Sequence, residues 1–298
     1  MGLNLFIFDP TEQFEANNLV DNPLLANSFE DNLSTGFFFR NLSYFYSGPK
    51  NSKGHSFGLI ADFELSGFEI FLANSLGNFI SGGSNVWEFG RFNFAKYARL
   101  RLDGRYYKDF SKGSQLAARV DLGIAVPYGS QDDGDLLQTP YLSQFFAGGP
   151  NSLRGWQIRE LGPGGFSGIL EPPFFQAGDI KMEFNLEYRW DLFLFFEGAL
   201  FLDAGNIWTL REEFGENARE NSQFTSDFLD QMAVNTGWGI RADFTYFLIR
   251  FDFGYKLRSP FPVDESGSHF VFGKTIPGTD ENFNSLLGNI NVAINYPF

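Results

Sequence analysis

The side chains that most often perform chemistry are scarce in this sequence, which has no cysteine and two histidines, His55 and His269, between predicted strands. Transition metals favour His and Cys ligands, so we predict no metal site. No Ser-His-Asp arrangement can be assembled, and the Gly-rich stretch 148–168 lacks the Gly-Lys-Ser/Thr of a phosphate-binding loop. The acidic run 131–135 lacks the bidentate Glu of a calcium loop and is predicted to be a solvated loop. We therefore predict no enzymatic centre and no cofactor.

Three charged residues carry a more specific expectation: Arg154, in the Gly-rich stretch, and Glu187 and Asp203, on the polar faces of two predicted strands. A guanidinium presents a planar fork that suits carboxylates, and in a confined interior it must be paired. If Arg154 enters such an interior, inward carboxylates such as Asp203 and Glu187 are candidate partners. The simpler interpretations are an exposed loop arginine and two carboxylates that are solvated in a polar interior.

The elements that would position these residues are β-strands, because apolar and polar residues alternate through most of the sequence. In 182–190, for example, Met182, Phe184 and Leu186 alternate with Glu183 and Asn185. The same period predicts nine strands, at 37–46, 56–66, 92–109, 115–127, 180–190, 193–205, 232–245, 247–258 and 288–298. Residues 3–8 could form part of a tenth strand, and 67–91 could hold either a helix or a strand.

The lengths of the connections favour a transmembrane β-barrel over a soluble β-sandwich. Short connections near 47–55, 110–114, 191–192 and 246 alternate with long ones near 67–91, 128–179, 206–231 and 259–287. Outer-membrane barrels have short periplasmic turns and long extracellular loops, whereas a sandwich has no reason to alternate in this way. The 39 Phe, 11 Tyr and 5 Trp suit a surface that faces lipid. The formal charge of 22 − 36 = −14 argues against a nucleic-acid partner.

Three motifs point to a known family. The Gly-rich stretch contains Leu153, Arg154, Gly155 and Trp156, which form an aliphatic-Arg-Gly-aromatic tip, and Phe201, Asp203 and Gly205 form a Phe-x-Asp-x-Gly motif. The last predicted strand carries an alternating apolar row that ends in an aromatic residue: Ile290, Val292, Ile294, Tyr296 and Phe298. Together these motifs resemble the Omp85 superfamily (the bacterial surface antigen D15 group, which includes BamA- and TamA-like insertases). The resemblance covers residues 92–298 well and 1–91 loosely.

The resemblance implies an all-β fold, a transmembrane antiparallel β-barrel of about sixteen strands. Residues 1–298 would be the C-terminal portion of that barrel, with about nine to ten of its strands and no POTRA domain. The loop tip (residues 153–156) would fold back into the lumen, where Arg154 would pair with Asp203 and Glu187 and lock the loop inside the barrel. The last strand would act as an assembly signal. Asn295 departs from the Gly that many such strands carry. The first residues lack a signal peptide, so we expect the natural start to lie upstream.

The function that the resemblance implies is assembly of proteins in the bacterial outer membrane, by strand augmentation at the barrel seam. The implied partners are the lipid bilayer, unfolded outer-membrane proteins and accessory assembly subunits. Three alternatives remain open: a translocation pore of the same family, as in two-partner secretion, a passive porin, and the barrel anchor of a surface enzyme. Insertion and translocation share the same motifs, so the sequence does not choose between them.

Overall fold

The computed structural model describes residues 2–6, 11–20, 26, 28–29, 32–36, 40–82, 93–110, 113–129, 138–167, 176–214, 218–244, 246–277 and 279–298. The acidic run 131–135 lies outside these residues. The strands are β1 (Gly2–Phe6), β2 (Asn32–Gly36), β3 (Asn41–Ser47), β4 (His55–Ser66), β5 (Asn93–Ala95), β6 (Tyr97–Phe110), β7 (Ser114–Pro127), β8 (Ile180–Phe193), β9 (Phe196–Trp208), β10 (Ala233–Asp243), β11 (Leu248–Arg258) and β12 (Asn289–Ile294). The helical elements are α1 (Glu12–Phe14), a π-helical turn (Glu15–Leu19), α2 (Phe68–Ser81) and a 3-10 turn (Tyr141–Ser143).

Nine strands form one antiparallel sheet, in the order β12-β11-β10-β9-β8-β7-β6-β4-β3. Each strand of this sheet therefore pairs with the next of its strands along the chain, as in an up-and-down barrel. The strands β1, β2 and β5 form a separate small sheet, so β5 is passed over between β4 and β6. The sheet is not closed in the part of the chain that the structure describes, where β3 and β12 are its two edges. The fold is a partial β-barrel.

The two faces of this sheet have the opposite polarity to a water-soluble sheet. Large apolar side chains such as Phe184, Leu186 and Leu202 are exposed on what we term the outer face. Charged side chains such as Glu187 and Asp203 are buried on the other face, the inner face, which the β7–β8 loop covers. An apolar face that is left exposed requires an apolar solvent, which for a barrel is lipid. The predicted alternation is confirmed.

The connections confirm the predicted alternation of lengths. The connections β3–β4, β6–β7, β8–β9 and β10–β11 are short and lie at one end of the sheet, and the long connections that follow β4, β7, β9 and β11 lie at the other. Residues 67–91, for which a helix and a strand were both open, begin with α2. Of residues 3–8, those from 3 to 6 lie in β1, which pairs with β2 and adds no strand to the main sheet, and residues 7–8 lie outside the described residues. No described helix is long and apolar enough to cross a membrane.

The end of the chain differs from the expected strand. The sequence predicts strand pairing as far as Phe298, but β12 ends at Ile294. Asn295 follows with φ 68°, a left-handed conformation that Asn tolerates better than most residues because its short side chain can bond locally. The bend breaks the alternation: Tyr296 remains exposed, whereas Phe298 is buried rather than on the outer face.

Candidate functional site

The site is built on the register of five neighbouring strands. One row of paired inner-face residues runs Glu187, Phe201, Gly237, Gly254 and Asn289, from β8 to β12. The two glycines leave the middle of this row without side chains. The Phe201 ring occupies the space above Gly237, and the backbone of Arg154 and Gly155 lies against Gly254. The loop tip therefore lies on the inner face between the carboxylate of β8 and the amide of β12.

The Arg154 side chain is fully enclosed at this site, with 1% of it exposed. Its Nε and Nη2 donate to the two carboxylate oxygens of Asp203 at 2.9 and 2.8 Å, and its Nη1 donates to Glu187. The backbone N–H of Arg154 also donates to Asp203 at 3.2 Å. This two-pronged geometry is the strong form of a charge-assisted hydrogen bond, and it satisfies the requirement that a buried guanidinium be paired.

Asp203 is held in place by the strands on either side of it. Asn185 of β8 and Asn235 of β10 each donate to its carboxylate at 3.0 Å. Both amides come from the register row that contains Asp203 itself. The carboxylate therefore has its position fixed independently of Arg154, which pre-organises it as an acceptor.

The other residues of the two sequence motifs pack around the same guanidinium. The central carbon of the Arg154 guanidinium lies 3.6 Å from the ring centroid of Phe201, a cation–π contact. A Cβ on Gly155 would lie 2.5 Å from the Asn235 side chain, and one on Gly205 would lie 2.5 Å from the backbone of Met182. Both motif glycines are thus required by close approach rather than by a special φ.

The two apolar residues of the loop tip anchor it to the β7–β8 loop and the neighbouring strands. Leu153 and Trp156 are buried in one apolar cluster, whose other members are Ala125, Phe145, Ala147, Leu161, Ile207 and Ala233. Lys256 of β11 lies with its Nζ 4.4 Å from the Trp156 ring and forms an ion pair with Glu160. The tip is held by apolar burial on one side and by charge on the other.

Sequence reasoning missed a second set of charges next to Arg154. Arg241 of β10 lies 3.1 Å from Glu187 and 2.8 Å from Asp252 of β11, and Arg250 lies 2.8 Å from Asp252. Arg189 donates to Glu187 at 2.7 Å. The inward parity of these residues was readable from the alternation. Their proximity depends on how the strands are staggered, which the sequence does not give.

The tip also contacts the last strand. The carbonyl oxygen of Arg154 accepts hydrogen bonds from the side-chain amides of Asn289 and Asn291, at 2.9 and 2.8 Å. The apolar residues of this strand, Ile290, Val292 and Ile294, are exposed on the outer face. Arg154 therefore joins β8 and β9 through its side chain and β12 through its backbone.

The final residues are bound at the end of the sheet that carries the short turns. Arg189 donates to the Phe298 carbonyl at 3.4 Å, and its guanidinium lies 4.3 Å from the Tyr296 ring. Tyr296 donates to Glu197 at 2.8 Å. The two histidines lie elsewhere: His55 is within 2.7 Å of the Tyr106 hydroxyl, and His269 is 2.9 Å from the Ser259 carbonyl.

The comparison with protein families decides the identity of the chain. The model of the Omp85 superfamily domain matches residues 81–276, which include the loop tip, Glu187 and the Phe-x-Asp-x-Gly motif. The chain belongs to the Omp85 superfamily. This is a family of outer-membrane insertases and translocases with β-barrel domains, and it accounts for the apolar outer face.

Among solved structures, this Omp85 chain is similar to BamA from Haemophilus ducreyi lacking POTRA domains 1–3. The identity is 15% and the TM-score 0.46, over 81% of this chain and 42% of the BamA chain. The chain thus spans less than half the length of that structure. No curated protein sequence matches the chain significantly.

The two amides that bind the tip of this Omp85 chain provide a first prediction. Replacing both Asn289 and Asn291 with Ala removes the two side-chain donors to the Arg154 carbonyl, and each hydrogen bond contributes about 0.5–1.5 kcal/mol. We expect faster amide hydrogen exchange in the β11–β12 ladder. The β8–β9 ladder serves as the internal control. Equal protection of β12 in the variant and the parent protein would show that the tip does not support this strand.

Proposed function

We propose that this chain is part of an outer-membrane protein insertase, and that incoming strands pair with the edge of β12. The observation that carries the proposal is that β12 has only a short ladder on one side and, in the part of the chain that the structure describes, an unpaired edge on the other. It pairs over six residues with β11, and it is an edge of the sheet in the described chain. An edge strand presents unpaired N–H and C=O groups, which are a template for another strand.

The loop tip would act on this edge from the inner face. Its hydrogen bonds to Asn289 and Asn291 supplement the short ladder to β11. In this proposal the Arg154–Asp203–Glu187 contacts hold the tip inside the barrel, so that β12 stays aligned while its free edge accepts a substrate strand. The residues of the outer face, Ile290, Val292 and Ile294, would face lipid during that exchange.

The described sheet would be the C-terminal portion of a larger barrel. Strand β3 is the other edge of the described sheet, and its side chains, including Leu42, Tyr44 and Phe45, are exposed along its whole length. Lipid offers no hydrogen-bond partners to the unpaired backbone groups of an edge strand, so further strands must pair with β3 in a membrane. The partners proposed for the whole protein are the lipid bilayer, unfolded outer-membrane proteins and accessory assembly subunits.

The absence of cysteine from the sequence allows a direct test by disulfide trapping. Val292→Cys places a thiol on the exposed face of β12, and Phe251→Cys, on the paired residue of β11, is the matched control one strand further in. An unfolded outer-membrane protein with a cysteine in its last strand is added to vesicles that contain each variant. We expect cross-linking at position 292, not at 251, and a product that resists extraction from the membrane.

Two outcomes would contradict insertion at this edge. Equal cross-linking at positions 292 and 251 would mean that β12 is not the site of pairing. A substrate that crosses the vesicle membrane and remains soluble would support translocation through the barrel, the closest alternative within the family.

A further inference from the structure

Helix α2 has its apolar side turned away from the protein. It has 14 residues, and the large residues at helical spacing along one side are exposed: Phe68, Leu72, Leu76, Phe79 and Ile80. Phe79 and Ile80 are 86% and 83% exposed. A surface helix of a soluble domain shows the reverse arrangement, with its apolar stripe packed on the core.

The opposite side of α2 faces the rest of the protein and is partly polar. Glu69, Asn74 and Asn78 are half-buried there, together with Ile70 and Phe71. The side of α2 that faces the protein therefore differs in composition from the exposed apolar side. Its polar residues are directed inward, as the charged residues of the barrel strands are.

The attachment of α2 continues the outer face of the sheet. The outward row of β7 ends at Val126, and Tyr128 is the next residue with the same parity. The Phe71 ring packs edge-on against Tyr128 with 5.6 Å between centroids, and the Tyr128 hydroxyl donates to the carbonyl of Ser66 at the end of β4. The exposed apolar stripe thus lies next to the rim of the lipid-facing surface.

The composition of the exposed side of α2 favours contact with lipid over contact with water. Besides its large apolar residues, the exposed side of the helix carries Ala73, Ser75 and Ser81, and it has no charged residue. Its position, at the end of the sheet with the long connections, corresponds to the outer boundary of the membrane. A helix that lies in an interface inserts its apolar side about 5–10 Å below the headgroups.

We infer that α2 is an interfacial membrane helix, which extends the lipid contact of the barrel sideways at its outer rim through Phe68, Leu72, Leu76, Phe79 and Ile80. The occupant of this surface is the bilayer, at the level where acyl chains meet headgroups. This position of α2 in the membrane is the same whether the protein inserts or translocates its substrates.

The test uses single cysteines that carry a fluorophore, with the protein reconstituted in phosphatidylcholine vesicles. Leu76→Cys and Ile80→Cys report on α2. Leu186→Cys, at the middle of β8 on the outer face, is the lipid-facing control, and Glu265→Cys, in the exposed β11–β12 loop, is the aqueous control. Nitroxides are placed on the acyl chains either near the headgroup or at the bilayer centre, and iodide quenches from the water.

We expect both α2 probes to be quenched several-fold more by acyl-chain nitroxides than the probe at position 265. The shallow nitroxide should be the more effective for α2, and the deep one for position 186. Iodide quenching of α2 equal to that at position 265 would overturn the inference. Protection from both iodide and nitroxides would also overturn it, because a protein segment would then cover the stripe. Quenching at position 186 shows in each case that the barrel is in the membrane.

Discussion

Replacing Arg154 with methionine is expected to release the loop tip from the inner face and to lower the temperature at which the barrel unfolds. Methionine keeps much of the apolar volume of the side chain but leaves Asp203 and Glu187 without their guanidinium partner in a site where all three are buried. Breaking a buried ion pair by removing one partner costs about 3–5 kcal/mol. The measurement is the heating temperature that converts the folded, fast-migrating form to the unfolded form in a detergent gel.

A matched control and a second substitution separate the effect from a general loss of charge. Arg211→Met changes an exposed arginine of the β9–β10 loop and should leave the transition unchanged. In the Arg154→Met variant, Asp203 is a buried carboxylate that has lost its partner, and adding Asp203→Asn removes that charge. The double variant should therefore lose less heat stability than the sum of the losses of the two single variants. An Arg154→Met protein with parental heat stability and parental assembly activity would refute the role of this pair.

Gly254→Ala is expected to expel the tip with a single added methyl group. The new Cβ would lie 2.4 Å from the Arg154 carbonyl oxygen and 2.7 Å from the Gly155 nitrogen, both of which are backbone atoms. Backbone cannot rotate away as a side-chain end can, so either the tip or β11 must move. Overpacking of this kind costs about 1–3 kcal/mol. Limited proteolysis within the loop, in the membrane-embedded protein, should become faster.

The control for this substitution is another strand glycine with room beside it. A Cβ on Gly104 of β6 would lie 3.9 Å from the Val120 carbonyl oxygen, an ordinary van der Waals distance. Gly104→Ala should therefore leave the proteolysis rate unchanged while making the same chemical change in the same kind of element. Equal rates for both variants and the parent would mean that the tip backbone does not lie against Gly254.

The sequence predicts the faces of the strands well, because alternation with a period of two depends on local geometry alone. Glu187 and Asp203 are on the inner face, and the nine strands lie within a few residues of their predicted bounds. Alternation does not give the position of an inward residue along the barrel axis. Whether an inward residue meets the tip depends on the stagger between strands, and for this reason Arg241 and Asp252 were not recognised as neighbours of Glu187.

Two local features required more than periodicity. The bend at Asn295 ends the last strand early and turns Phe298 inward, and a continuous apolar-polar pattern in 288–298 gives no sign of it. For residues 67–91 the sequence left a helix and a strand open, and it did not give the direction in which the apolar side of α2 points. That direction is set by contacts with Tyr128, which is distant in sequence.

The two attachments of Arg154 have a mechanical consequence. Its side chain is fixed to β8 and β9 and its carbonyl to β12, so the residue forms a strut across β10 and β11. A tensile force applied to the chain end would be shared between the ladder and this strut until the two asparagine bonds broke. The β11–β12 ladder should then separate in two stages rather than uniformly, and the asparagine side chains on the inner face should determine the first stage.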